Sequence, residues 1–146
     1  MSRSRWITNA AAWLAMAAGL SCGGGGGGPQ GDFGHIDGVV YLGGPVAGAN
    51  VTLTQLLPDG TRNLQFSATT GADGTFAVDV GVANYAFEVV AVGGTEVDLA
   101  TGATIAHPNL ELTAMLLDFQ LDEKRAAVIS PFSTLAAKAA EHRLAV

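Results

Sequence analysis

The sequence predicts an all-β domain, an antiparallel sandwich of two facing layers, followed by a C-terminal α-helix. Three observations carry that expectation. Apolar and polar residues alternate with a period of two over residues 35–119, glycine-bearing turns interrupt them about every 8–14 residues, and after Ser130 the apolar spacing becomes helical. The 146 residues suit one ordinary domain. With 49% hydrophobic and 14% charged residues the composition is that of a folding chain, opposite to the signature of disorder. A net charge of -6, from 7 basic against 13 acidic groups, offers no basic surface for nucleic acid.

The organisation along the chain is a signal peptide over 1–21, a glycine-rich tether over 22–32, the sandwich over 33–122 and a helical segment over 123–146. Arg3 and Arg5 form a charged start, and residues 10–20 (AAAWLAMAAGL) are an uncharged apolar run, the order of an export signal. As a helix that run rises about 16 Å, roughly half of a hydrocarbon core about 30 Å thick, which disfavours a permanent span. Cys22 is the only cysteine, so no disulfide within the chain is available. Gly19-Leu20-Ser21-Cys22 resembles the lipobox of bacterial lipoproteins, although Gly19 stands where the family has Leu. The resemblance implies cleavage before Cys22 and a lipid on its thiol, each buried methylene adding about 0.8 kcal/mol of membrane affinity. Ordinary cleavage and a free secreted chain is the alternative. Loss of Arg3 and Arg5 would leave the mature domain still more acidic. By resemblance to enteric lipoproteins, Gly23 after the lipidated residue implies transfer to the outer membrane, hence a cell-envelope location facing the periplasm or the exterior.

Residues 23–28 are six consecutive glycines. A flexible tether of about ten residues reaches roughly 17 Å. The run spells G-x-G-x-x-G but follows no predicted strand and opens no helix, which argues against phosphate binding. G-x-S-x-G at 19–23 falls across the cleavage point, so it is no nucleophile elbow.

The strands follow in order. Residues 39–42 predict the first, ended by Gly43-Gly44-Pro45; residues 50–56 alternate Val51 and Leu53 against Asn50, Thr52 and Thr54. Pro58-Asp59-Gly60 turns the chain, Leu64, Phe66 and Ala68 form the next inward row, and Gly71-Ala72-Asp73-Gly74 predicts a hairpin. Phe76, Val78 and Val80 then face one way and Ala77 and Asp79 the other; Tyr85, Phe87, Val89 and Ala91 repeat the pattern, and residues 110–119 predict a further strand. With strands alternating in direction, the turns at 43–48, 71–74 and 93–96 are expected to gather at one end.

Gly38-Val39-Val40, residues 45–53, residues 70–78 and Tyr85-Ala86-Phe87-Glu88-Val89 together resemble the carboxypeptidase regulatory-like family, over about residues 35–92, with Gly71 where the family often has Asp. The resemblance implies a seven-stranded, transthyretin-like (prealbumin-like) sandwich acting as a non-catalytic accessory or adhesive module. Gly93-Gly94-Thr95, Ala100-Thr101-Gly102 and residues 128–136 are similar to a pattern in bacterial surface lipoproteins in which a helical region follows. In the last segment Ser130 suits a helix cap and Pro131 the first helical position, with Phe132, Leu135, Ala136 and Ala139 on one face and Lys138, His142 and Arg143 toward the negative end. This is either a helix docked on the sandwich or the start of a larger helical domain.

Candidate chemistry is sparse. His35, His107 and His142 are far apart and begin no zinc motif, and Asp37, Asp59, Asp73 and Asp79 match no calcium loop, turn capping and solvation being the better reading. Hydroxyisourate hydrolases, which share the transthyretin-like fold, end in Tyr-Arg-Gly-Ser, whereas this chain ends Arg143-Leu144-Ala145-Val146. Asn50-Val51-Thr52 spells a glycosylation sequon inside a predicted strand. Trp6 and Trp13 leave with the signal, and the 6 Phe are mostly assigned to the core, so few aromatics remain for sugar stacking. The expectation is a non-enzymatic module without metal or cofactor, joined to the membrane through a lipid on Cys22 and binding or presenting an envelope protein or glycan. The alternatives are a structural spacer and a secreted carbohydrate-binding accessory module.

Overall fold

The computed structural model describes residues 34–81, 85–120 and 123–144. The signal at 1–21, the tether at 22–32 and Cys22 lie outside the described residues. In chain order the elements are β1 (Gly34–Val40), β2 (Val46–Ala47), β3 (Asn50–Leu56), β4 (Arg62–Thr69), β5 (Thr75–Val80), β6 (Tyr85–Val92), β7 (Thr95–Val97), β8 (Thr104–Ala106), β9 (Glu111–Phe119), β10 (Lys124–Ile129) and α1 (Pro131–Leu144).

Two sheets share one core. One has the order β10-β1-β5 and the other β4-β3-β6-β9; a small third sheet has the order β2-β7-β8. Ile36, Val40, Phe76, Val78, Val80, Ala127 and Ile129 of the first join Val51, Leu53, Phe87, Val89, Ala91, Leu112, Ala114 and Phe119 of the second in one buried cluster. The described residues are therefore mostly β, with the expected helix following the last strand. Where alternation is unbroken, strands stand where the pattern places them: in β5, Phe76, Val78 and Val80 are buried and Thr75, Ala77 and Asp79 exposed. Phe87 sits at the centre, fully buried, with edge-to-face contacts to Phe66 at 6.3 Å and Phe119 at 5.6 Å between ring centroids.

Several expectations need correction. β1 is Gly34–Val40 rather than residues 39–42. Its inward row includes Gly34 and Gly38, and a Cβ on either would come within 2.2 Å of the Phe119 or Phe76 ring. The close approach requires glycine, and glycine hides the alternation. Residues 71–74 do not close a hairpin: they carry the chain from β4 in one sheet to β5 in the other, where β5 pairs with β1. The sandwich is not wholly antiparallel, because β10 lies parallel to β1, from His35↔Lys124 to Val40↔Ile129. That strand falls within the 123–146 segment assigned to helix; the helix proper begins at Pro131. Leu64, expected inside, is exposed near the irregular end of β3–β4 pairing.

The helix start matches its expectation. Ser130 Oγ accepts from Ser133 N at 3.3 Å and Ser133 Oγ accepts from Ser130 N at 2.9 Å, a reciprocal cap. Its docked face does not match. Phe132 is 85% and Leu135 70% exposed, Ala136 and Ala139 are exposed, and Ala137 is buried instead. The edge of β9 explains the rotation. Thr134 Oγ1 accepts from Thr113 N at 2.8 Å and Ser133 Oγ donates to Thr113 O at 2.8 Å, so the helix turns its hydroxyl side to an unpaired strand edge and its apolar stripe outward.

Candidate functional site

The three turn clusters do gather at one end, here the loop pole. A Cβ at Gly74 would lie 2.9 Å from Val40 O and 3.0 Å from Pro45 Cβ; one at Gly94 would lie 2.6 Å from Val46 Cγ1. Both residues also have positive φ, 74° and 105°, so the packing and the backbone select glycine together. β1 begins at the other end, where Gly34 lies against the Phe119 ring and Gln120 O. β1 thus begins at the pole opposite the turns at 43–48, 71–74 and 93–96.

Thr70 fastens the loop pole. Its buried hydroxyl donates to Val46 O at 2.7 Å and accepts from Ala49 N at 2.8 Å, while its own amide and carbonyl bond Ala49 O and Gly48 N at 3.0 Å each. Asp73 shapes the adjoining turn: its Oδ1 accepts from Thr75 Oγ1 at 2.7 Å and Thr75 N at 3.1 Å. The Thr75 hydroxyl, then its amide, hold the Asp73 carboxyl below the usual range. Asp59 bonds Thr61 in the same manner, so the turn-capping reading fits these two aspartates.

From the small sheet, Glu96 Oε2 accepts from Gly43 N at 3.3 Å and stands 3.7 Å from His107 Nε2, which is enclosed and makes no hydrogen bond. The carboxylate draws the β7 side of the pole onto the 43–45 loop. The β7–β8 hairpin exposes Val97, Ile105 and Leu99, the last 80% exposed, and Tyr41 is exposed at the end of β1. These apolar side chains are held outward on a hairpin whose turn is fixed by Asp98, which accepts from Thr101 Oγ1 at 2.6 Å and Ala100 N at 2.9 Å.

A second polar cluster lies on the outer face of the β10-β1-β5 sheet. His35 Nδ1 is 2.5 Å from Asp79 Oδ1, His35 Nε2 is 2.8 Å from Asp37 Oδ1, and Lys124 Nζ is 2.7 Å from Asp37 Oδ2. The Asp79 carboxylate, with Asp37, raises the imidazole above its ordinary value of 6.5, and Lys124 first, then His35, lowers Asp37 below 3.8. When His35 is protonated, both ring nitrogens donate, Nδ1 to Asp79 and Nε2 to Asp37. The cluster is a clasp joining three strands. Among the described residues, no group of three His, Cys, Asp or Glu is placed to hold a metal ion.

The clasp gives a pH dependence of defined sign. The raised His35 pKa adds stability that is complete below its unfolded value and lost as pH rises through the folded one. The lowered Asp37 pKa adds stability present above its unfolded value and lost as pH falls through the folded one. His35→Gln is therefore expected to lower the urea midpoint at about pH 5.5, below the ordinary imidazole value, and the difference to shrink as the solution is made alkaline. A midpoint difference independent of pH would remove the clasp.

Sequence reasoning found the gathering of the loops but missed Thr70, the Glu96–His107 pair and the clasp. His35 and Asp37 at i, i+2 on a strand must share a face, which was a usable signal; Asp79 and Lys124 join them only through sheet register. His142 is exposed on α1. Asn50 and Thr52 of the sequon lie in β3, as expected. No described helix is long and apolar enough to cross a membrane. Neither a protein-family model nor a curated protein matches the chain.

Proposed function

We propose that this protein is a non-catalytic, lipid-anchored module of the bacterial cell envelope, held at the outer membrane through Cys22, whose loop pole binds or presents a protein or glycan. The seven strands of the two facing sheets are read as a transthyretin-like sandwich of the carboxypeptidase regulatory-like kind. One observation carries the reading: Gly34, to which the tether connects, lies at the pole opposite the gathered loops. A chain tethered there carries its exposed hairpin at the end remote from the anchor. The exposed Leu99, Val97 and Tyr41 support recognition at that pole.

Cells expressing the native gene or its Cys22→Ala form test the anchor. The native product is expected to incorporate labelled fatty acid and to sediment with membranes, and the variant to be released. Equal membrane retention without label in either overturns the anchor. Saturable binding on a panel of glycans and envelope proteins, lost in Leu99→Asp, supports recognition; uniform silence leaves a structural spacer.

A further inference from the structure

We propose that the outward face of α1 is a second membrane contact, its apolar and cationic side chains resting on the anionic headgroups of the bilayer; this rests on the lipid-anchored reading. The docked side of α1 is fixed by Ser133 and Thr134, which bond Thr113, and by buried Ala137. At about 100° per residue the opposite side carries Phe132, Leu135, Ala139, His142 and Arg143, with Ala136 and Lys138 on its two flanks, all exposed. The helix has one acidic residue, Glu141, seven positions after Thr134 and so on the docked side, where its charge acts on Arg62 of β4. A chain of net charge -6 has thus turned toward solvent a helix face with cations, large apolar groups and no carboxylate. Val128 extends the apolar part, lining with Ala136 and Ala140 a groove of about 310 Å³ between β10 and the helix.

Charge complementarity selects the occupant. A second copy would bring one cationic face onto another, and antiparallel helices would place basic C-terminal turns beside positive N-terminal ends, which repel. An anionic bilayer accepts both halves of the face: apolar side chains at the headgroup boundary and basic groups at the phosphates. Position agrees. α1 starts at the loop pole, where Tyr41 N donates to Ile129 O at 2.9 Å, and runs along β9 from Thr113, bonded by Ser133 and Thr134, to Leu116, which lines one groove with Ala137 and Ala140 on the way to Phe119 and Gly34. His142 and Arg143 therefore lie toward the pole where Gly34 receives the tether. A weak surface affinity then suffices, since a short tether keeps the effective concentration high.

Flotation of the full-length Cys22→Ala chain with vesicles tests this, using phosphatidylglycerol mixed with phosphatidylcholine and phosphatidylcholine alone. Two further variants, Lys138→Glu/Arg143→Glu and Phe132→Ser/Leu135→Ser, alter only exposed positions and share residues 1–33 with their parent, so any difference reports α1. Each is expected to lower partition to the anionic vesicles by about tenfold, the charge pair losing its effect at high salt and on neutral vesicles. Equal partition of all three chains overturns the proposal. So does concentration-dependent dimerisation of the parent, abolished by the variants, without any dependence on vesicle charge. Fatty-acid labelling of the native chain is scored separately: label with equal partition sinks only the α1 contact, and α1-dependent partition without label sinks only the anchor.

Discussion

Phe87→Ala is expected to cost about 3–5 kcal/mol of unfolding free energy, a large share of what a domain of this size commands. The ring is fully buried on β6 and lies edge-on to Phe66 and Phe119, so truncation removes apolar burial, two aromatic contacts and the volume between the sheets. The walls of the cavity are strand side chains held by ladders on either side, and these collapse only partly. Urea unfolding at fixed pH measures the loss. Phe87→Leu, which fills most of the space, should lose markedly less. A cost below about 1 kcal/mol would mean that the two sheets do not share this ring in their core.

Thr70→Val is expected to cost about 2–5 kcal/mol and to act at the loop pole before it acts on the whole. Valine keeps the shape of threonine but leaves two enclosed groups, Val46 C=O and Ala49 N–H, without the hydroxyl that satisfies both. Val46 and Ala49 are themselves fully buried, so water does not replace the lost partner without opening the 46–49 turn. Amide exchange at Ala49 should therefore quicken more than exchange in β5 or β6. Thr70→Ser retains the hydroxyl and should keep most of the protection. Unchanged exchange at Ala49 in the valine variant would remove Thr70 from its role as the fastener of this pole.

Legibility of the fold followed from where one residue's environment is local. β5 has unbroken alternation and stands where the pattern put it, whereas β3 alternates only through Leu53: Thr54, expected on the polar face, is buried with Gln55 beside the register shift of the β3–β4 pair. β1 was read short because Gly34 and Gly38 occupy inward places that only the Phe119 and Phe76 rings explain. Asp73-Gly74 announced a turn correctly, but turn chemistry reports backbone angles and says nothing of which sheet receives the next strand. α1 was legible as a helix through Ser130 and Pro131, yet its apolar stripe misled: the hydrogen-bonding demand of Thr113 on the β9 edge outweighed the burial of Phe132 and Leu135. At the candidate site the gathered loops followed from strand alternation, whereas the Glu96–Gly43 contact joins residues 53 apart and no local pattern marks it.

β1 lies between β5 and β10, and neither neighbour is adjacent to it in the chain. No short hairpin can template it; residues 34–40 wait for 75–80, and the sheet is complete only once 124–129 have arrived. Such a high contact order slows folding, because loop closure precedes the contacts that reward it. The first sheet therefore stays open on one side of β1 while residues 124–129 are still being made, and its closure is a late event of synthesis rather than an early one.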